Sequence, residues 1–371
     1  MKSIFTYSFI IFSVLSFYLV NPQSVNSQNF DNWKTDLSKK SIDLETLVSG
    51  GPPKDGIPSI DNPEFVRFDE SDKWIADEEP VIAFQHEGIS RAYPLQIMIW
   101  HEIVNDWFNN TPVLVTFCPL CYSAIVFDRR IDGEVHDFGV SGFLRHSDMI
   151  MFDRKTESLW QQFTGEAVVG EYTGIDLKVL PSQIISYEQF KDAYPDGKVL
   201  SKNTGHDRPY GQNPYTGYDD VDNTPFLMGE IEDDRLKPME KVIGVRTGDL
   251  QKAYPYSVTK GETVINDTVG DEPIAIFHVE GARSALDAAE ISNSRADGST
   301  GAFSRVINGQ TLEFDYRSGE IRDLQTESVW DISGKAVSGE LEGEQLEPLI
   351  FGDYFAFAWL VFWPETELYE N

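Results

Sequence analysis

The chain has 371 residues, 41% hydrophobic and 13% aromatic, which is enough for one large domain or two ordinary ones and rules against extended disorder. Its formal net charge of −31 rules against nucleic-acid binding, because a phosphate backbone would be repelled. The acidity describes a solvated surface and says nothing of the fold.

In chain order, the first feature is an uncharged apolar run, Ile4 to Val20, behind Lys2 and ended by Asn21-Pro22. Val25 and Ser27 stand at −3 and −1 of a cleavage after Ser27, so residues 1–27 read as a signal peptide. The expected location is extracytoplasmic, secreted or at the cell surface; an uncleaved run would instead serve as a membrane anchor. No later segment is long and apolar enough to span a bilayer. "YFAFAWLVFW" (Tyr354 to Trp363) is too short and reads as core.

After an N-terminal segment (28–79), residues 80–117 and 241–278 share a pattern. Ala92-Tyr93-Pro94 falls on Ala253-Tyr254-Pro255, 161 positions later, and Val104-Asn105-Asp106 on Ile265-Asn266-Asp267. "RIDGEVHDF" from Arg130 parallels "VINGQTLEF" from Val306, and "DRKTESLWQQFTGEAVVG" from Asp153 parallels "DLQTESVWDISGKAVSG" from Asp323. We read a tandem duplication: unit 1 over 80–202, a connecting segment over 203–240, and unit 2 over 241–371. The connecting segment is rich in Gly, Pro, Asn and Tyr, and its tyrosines predict an ordered crossing rather than a flexible linker.

The fold class is mainly β, a β-rich α+β chain: two units of curled antiparallel sheet with short helices. Hairpins are expected around Glu87-Gly88, Asp132-Gly133 and Asn308-Gly309, the last two being favoured two-residue turns. Leu95 to Ile103 holds a helical turn or two. "SYEQFKDAYP" predicts a helix with Ser186 as cap, Gln189 completing a capping box and Pro195 as stop.

The chain's two cysteines, Cys118 and Cys121, lie in "PVLVTFCPLCYSAIVFDRR". The alignment of the units places Cys118 on Val279, Cys121 on Ala282 and His101 on Glu262, so unit 2 lacks them. Residues present in both units are scaffold candidates: Tyr93, Asn105, Asp106, Asp153, Thr156, Ser158 and Trp160. Those in one unit only are site candidates. C-P-L-C is followed by alternating residues and a turn rather than a helix, which excludes the thioredoxin arrangement. A stabilising disulfide, a redox couple and a metal knuckle all remain open. A metal site would take Cys118, Cys121, His101 and His146 as ligands. Two Cys and two His suit zinc, while Met149 and Met151 would add soft donors for copper. His101 serves equally well as a buried hydrogen-bonding residue, and His136, among acidic neighbours, reads as a surface residue. Asp219, Asp220 and Asp222 could collect calcium but lack the spacing of a known loop. No phosphate-cradling glycine loop, G-x-S-x-G or H-E-x-x-H is present, so no enzymatic activity, substrate or partner follows.

The string "RAYPLQIMIWHEIVNDWFNNTPVLVTFCPLCYSAIVFDRRIDG", followed by "FGVSGFLRHSDMIMFDRKTESLWQQFTGEAVVG", resembles the domain of unknown function 3179 family over roughly Pro80 to Tyr369. The resemblance implies an exported protein and no particular activity. It carries over to Tyr93, Pro94, His101, Asn105, Asp106, Cys118, Pro119, Cys121, Asp153, Thr156, Ser158 and Trp160. His146 stands where the family's usual "NSDL" has asparagine, which favours His101 over His146 as a general ligand. Two function classes follow: metal binding or thiol redox at a Cys/His site, and a non-enzymatic binding or surface module with the cysteines as a staple.

Overall fold

The computed structural model describes residues 24–25 and 27–370. The apolar run of the expected signal peptide lies outside them. Val25 is 2% exposed and its N–H donates to Leu47 O, so cleavage after Ser27 would remove a packed residue. Among the described residues no helix is long and apolar enough to cross a membrane.

The protein is mainly β, with 41% of residues in strands and 12% in helices. The first half opens with the hairpin β1 (Pro80–His86) and β2 (Ile89–Pro94), followed by helix α1 (Leu95–His101). Strands β3 (Ile103–Phe108), β4 (Thr111–Cys118) and β5 (Ser123–Asp128) form an antiparallel meander. A second hairpin, β6 (Phe138–Arg145) and β7 (Asp148–Asp153), pairs with β8 (Leu159–Gln161). The chain then returns to the first sheet. There β9 (Gln183–Ser186) pairs antiparallel with β1, and β10 (Lys198–Leu200) pairs parallel with β2. Helix α2 (Tyr187–Ala193) between them starts on the Ser186–Gln189 capping box the sequence predicted.

The second half follows the same order. β11 (Lys241–Thr247), β12 (Leu250–Pro255), α3 (Tyr256–Glu262), β13 (Val264–Val269) and β14 (Glu272–Val279) each lie 161 positions after their first-half equivalents and have the same lengths. β15 (Ser299–Ser304) then takes the place of β5. The parallel edge recurs too: Lys198 pairs with Arg91, and Glu367 pairs with Lys252. The shared polar residues hold the same junctions in each half. Tyr93 donates to Asp106 at 2.5 Å and Tyr254 to Asp267 at 2.8 Å. Asn105 bonds both backbone groups of Phe138, and Asn266 those of Phe314. Each such pair satisfies buried polar groups where strands leave one sheet for the next.

The two larger apolar clusters span both halves, while two smaller ones stay within one half each. The largest apolar cluster joins Leu95, Val115 and Phe127 to Tyr354, Trp359 and Leu360. A second joins Val81 and Phe190 to Phe277 and Trp330. "YFAFAWLVFW" forms a strand end and a buried helix, as its composition suggested. The connecting segment is ordered against the main core through Tyr210, Tyr215, Tyr218 and Phe226.

Candidate functional site

Cys118 ends β4 and pairs in register with Ser123, the first residue of β5. Pro119 and Leu120 turn the chain, and Tyr122 closes the turn with φ 55°. This four-residue link forces both sulfurs to one end of the sheet. The thiols are free and 4.2 Å apart, about twice the length of a disulfide bond.

The third member of the site comes from the β6–β7 hairpin. Asp148 lies with one carboxylate oxygen and both sulfurs within 4.8 Å of one another, and all three residues are buried. Gln161 Nε2 donates to Asp148 Oδ2 at 2.6 Å and Phe163 N at 3.0 Å, whereas Oδ1 has no hydrogen-bond partner. The neighbouring Gln162 binds Thr116 Oγ1 and Ser123 Oγ, which brace the cysteine turn from below. Above it, Tyr218 donates to Leu120 O at 3.1 Å and Phe355 N to Cys121 O at 3.0 Å. The connecting segment and the second half therefore close the site.

The electrostatics are one-sided. Burial raises Cys118, and raises Cys121 well above the usual thiol range, helped by the neighbouring Cys118. Burial pushes Asp148 up to about 7. Glu102, the left-handed residue that ends α1, is pushed up to about 8 by burial and then by Asp148. Neither carboxyl has an ion-pair partner among the described residues. Burial thus favours the neutral, protonated forms of all four acidic groups, and the Arg145 guanidinium that Asp148 attracts stays beyond ion-pair distance.

The structure departs from the expected ligand set. His101 is buried away from the thiol group, with both ring nitrogens engaged: Nδ1 with Pro58 O at 2.7 Å and Nε2 with Tyr210 Oη at 2.6 Å. A carbonyl only accepts, so Nδ1 carries the proton and Nε2 accepts from the tyrosine. No lone pair is left for a metal, and burial lowers the ring to about 4. His146 sits at the hairpin tip, its ring edge-on to Phe362 at 5.7 Å, outside the Cys118–Cys121–Asp148 group. Met149 and Met151 are core residues. Asp219 is committed to Arg295 and Ser284, and Asp222 to Lys237, so the acidic run does not converge on a cation. Asp148 and Glu102 were missed because carboxylates are plentiful in this sequence. The signal available was their asymmetry. Glu102 falls on Thr263, and Asp148 lies between Val140 and Met151, where the second half has only four residues, 317–320.

His136 is a further correction. It is 1% exposed, not on the surface, and stands edge-on to Tyr172. Neither ring nitrogen has a hydrogen-bond partner, and Nδ1 is 3.7 Å from Asp153 Oδ1. Its second-half equivalent is the fully buried Leu312. His136→Leu is therefore expected to stabilise the protein by about 1–3 kcal/mol at pH 8, since unsatisfied buried polar atoms are costly. Urea unfolding checks it, and a destabilised variant would show that the ring is needed.

A family model for a protein of unknown function (DUF3179) matches residues 54–366, and the chain belongs to that family. Neither a curated protein nor a solved structure matches it.

Proposed function

We propose that this DUF3179 protein holds a metal ion with Cys118, Cys121 and Asp148 and acts in metal handling or metal-dependent chemistry outside the cytoplasm. The observation that carries this reading is the convergence of three buried ligand atoms, the two sulfurs and a carboxylate oxygen of Asp148, within 4.8 Å of one another. Buried acids are ordinarily paired, hydrogen-bonded or ligated. A divalent cation would deprotonate the thiols and the carboxyl together and supply the missing charge. Two thiolates and a carboxylate suit zinc; Glu102, whose carboxyl feels Asp148, lies outside the 4.8 Å group, which leaves the fourth position to water or substrate. The copper alternative loses support because the histidines and methionines that would favour it are engaged elsewhere.

A redox couple is less well supported. Its attacking sulfur must be an accessible thiolate, and here both thiols are buried with raised pKa. The 4.2 Å separation favours one second reading, a structural disulfide formed after a modest closure of the turn. Elemental analysis by mass spectrometry on protein purified without chelators separates the two. Near-stoichiometric zinc or copper, lost in Asp148→Asn, is the expected result. Metal-free protein whose mass is lower by two hydrogens would replace it with the disulfide. Export rests on the N-terminal apolar run; fractionation of a native host tests it, recovery of the protein in the cytosol would sink it, and the mass of the chain then tells the cleaved form from the membrane-anchored one.

A further inference from the structure

The β6–β7 hairpin borders a second feature, a cleft of about 620 Å³ between the halves of the molecule. Its lining includes Arg145 and His146 from the hairpin, Gln161 from β8, Arg246 from β11, and Phe362 and Trp363. The two arginines are unusual for this protein. Among the described residues ten of the fourteen arginines form ion pairs, and Arg145, Arg208, Arg246 and Arg283 have no such partner. In a chain with 61 acidic and 30 basic side chains, a guanidinium has carboxylates available almost anywhere. Two in one cleft nevertheless lack them at ion-pair distance.

Arg246 lies over the Trp363 ring at 4.5 Å, which fixes its plane and leaves its N–H edge free. Arg145 donates to Gln161 Oε1 at a long 3.3 Å. The Nε of each arginine is buried without an acceptor. Glu166 also lines the cleft and attracts Arg145, but stays beyond ion-pair distance. The hairpin tip that carries Arg145 is itself strained. His146 and Ser147 both adopt left-handed φ, 52° and 63°, in a turn that ordinarily takes Asn and Gly.

We propose that this cleft binds a small-molecule oxyanion, a carboxylate or a phosphate, between the Arg145 and Arg246 guanidinium groups. Paired planar forks match the oxygens of such groups through their terminal N–H donors. Lysine could not reproduce this geometry. The site is separate from the thiol group and does not depend on a metal there. Gln161 is the link between them, touching Arg145 with its oxygen and Asp148 with its nitrogen.

Isothermal titration calorimetry with inorganic phosphate and with succinate tests the proposal on the full protein. Saturable one-to-one binding of at least one is expected in the millimolar range or tighter, and which one binds names the anion. Arg246→Gln should weaken binding about tenfold or more, as loss of a charged hydrogen-bonding group does. Gln85 holds the equivalent position in the first half, so this change is compatible with the fold. Arg145→Gln should act alike, and Arg208→Gln, an unpaired arginine elsewhere, should change nothing. If Arg145→Gln unfolds the hairpin, Arg246→Gln decides alone. Absence of saturable binding by both anions, or binding unchanged by Arg246→Gln, overturns the proposal. Binding that persists in Cys118→Val, Cys121→Ala separates its fate from that of the metal site.

Discussion

Between pH 6.5 and 8 the chelator-treated protein is expected to lose about 1–2 kcal/mol of stability, opposite to the behaviour of a protein held by salt bridges. The sign follows from Asp148 and Glu102. Their folded pKa values, about 7 and about 8, lie above the ordinary carboxyl values of 3.8 and 4.5. The folded state therefore keeps protons that the unfolded state has released, and raising the pH favours unfolding until both groups ionise. The buried histidines act in a different window. His101, His146 and His278 are lowered to about 4 by burial, so their penalty grows as pH falls below 6.5; at pH 6.5 the unfolded rings are half protonated and the three together still cost about 1 kcal/mol, which offsets part of the loss. Asp353, raised to about 6 by burial, acts mostly below the window as well. Asp148→Asn with Glu102→Gln should flatten the profile, because neutral amides stand in for the protonated acids. Urea unfolding at the two pH values measures the difference. A wild-type stability that is level or rises with pH would mean that the two carboxyls are already ionised and compensated.

Much of this fold was readable because a pattern of residues and elements recurs 161 positions along the chain. The Tyr-Pro and Asn-Asp pairs recur where strands change sheets, and the Thr-x-Ser-x-Trp string recurs in the turn between two strands of one sheet, where Trp160 and Trp330 donate to Asp153 and Asp323. Turns were legible wherever Asp-Gly or Asn-Gly supplied the positive φ a tight hairpin needs. The asymmetry between halves also isolated Cys118 and Cys121 correctly as a close pair. What it could not supply was their company. His101 looked like a ligand because it precedes a neighbouring strand, but the end of α1 turns it toward Pro58 and the connecting segment. Asp148 reaches the thiols only through a hairpin extension that the second half lacks, a long-range placement invisible to local periodicity. The mixing of cores across the halves was equally hidden, since alternation identifies a buried face without saying what buries it.

That asymmetry supplies the most informative substitution. Cys118→Val with Cys121→Ala installs the residues that the sequence alignment places there, Val279, which ends the equivalent strand, and Ala282, from the longer 280–298 link of the second half. Both changes put apolar side chains into an apolar environment, so the variant should fold. If Cys118, Cys121 and Asp148 hold zinc, added zinc should stabilise the wild type by about 4 kcal/mol at a thousandfold excess over Kd and leave the variant unmoved. Zinc binding should also release protons from the thiols and from Asp148, so its affinity should rise with pH and oppose the loss of stability seen without metal. Differential scanning calorimetry with and without zinc, in buffers of different ionisation enthalpy, reads both effects. The disulfide reading gives another pattern: the double substitution would cost about 2 kcal/mol for so short a loop, and zinc would do nothing to either protein. The two outcomes differ in the sign of the variant's stability change as well as in the zinc response. The reason is physical: a disulfide gains its stabilisation by restricting the unfolded chain, whereas an unfilled metal site is a buried acidic cluster that the native state is better without.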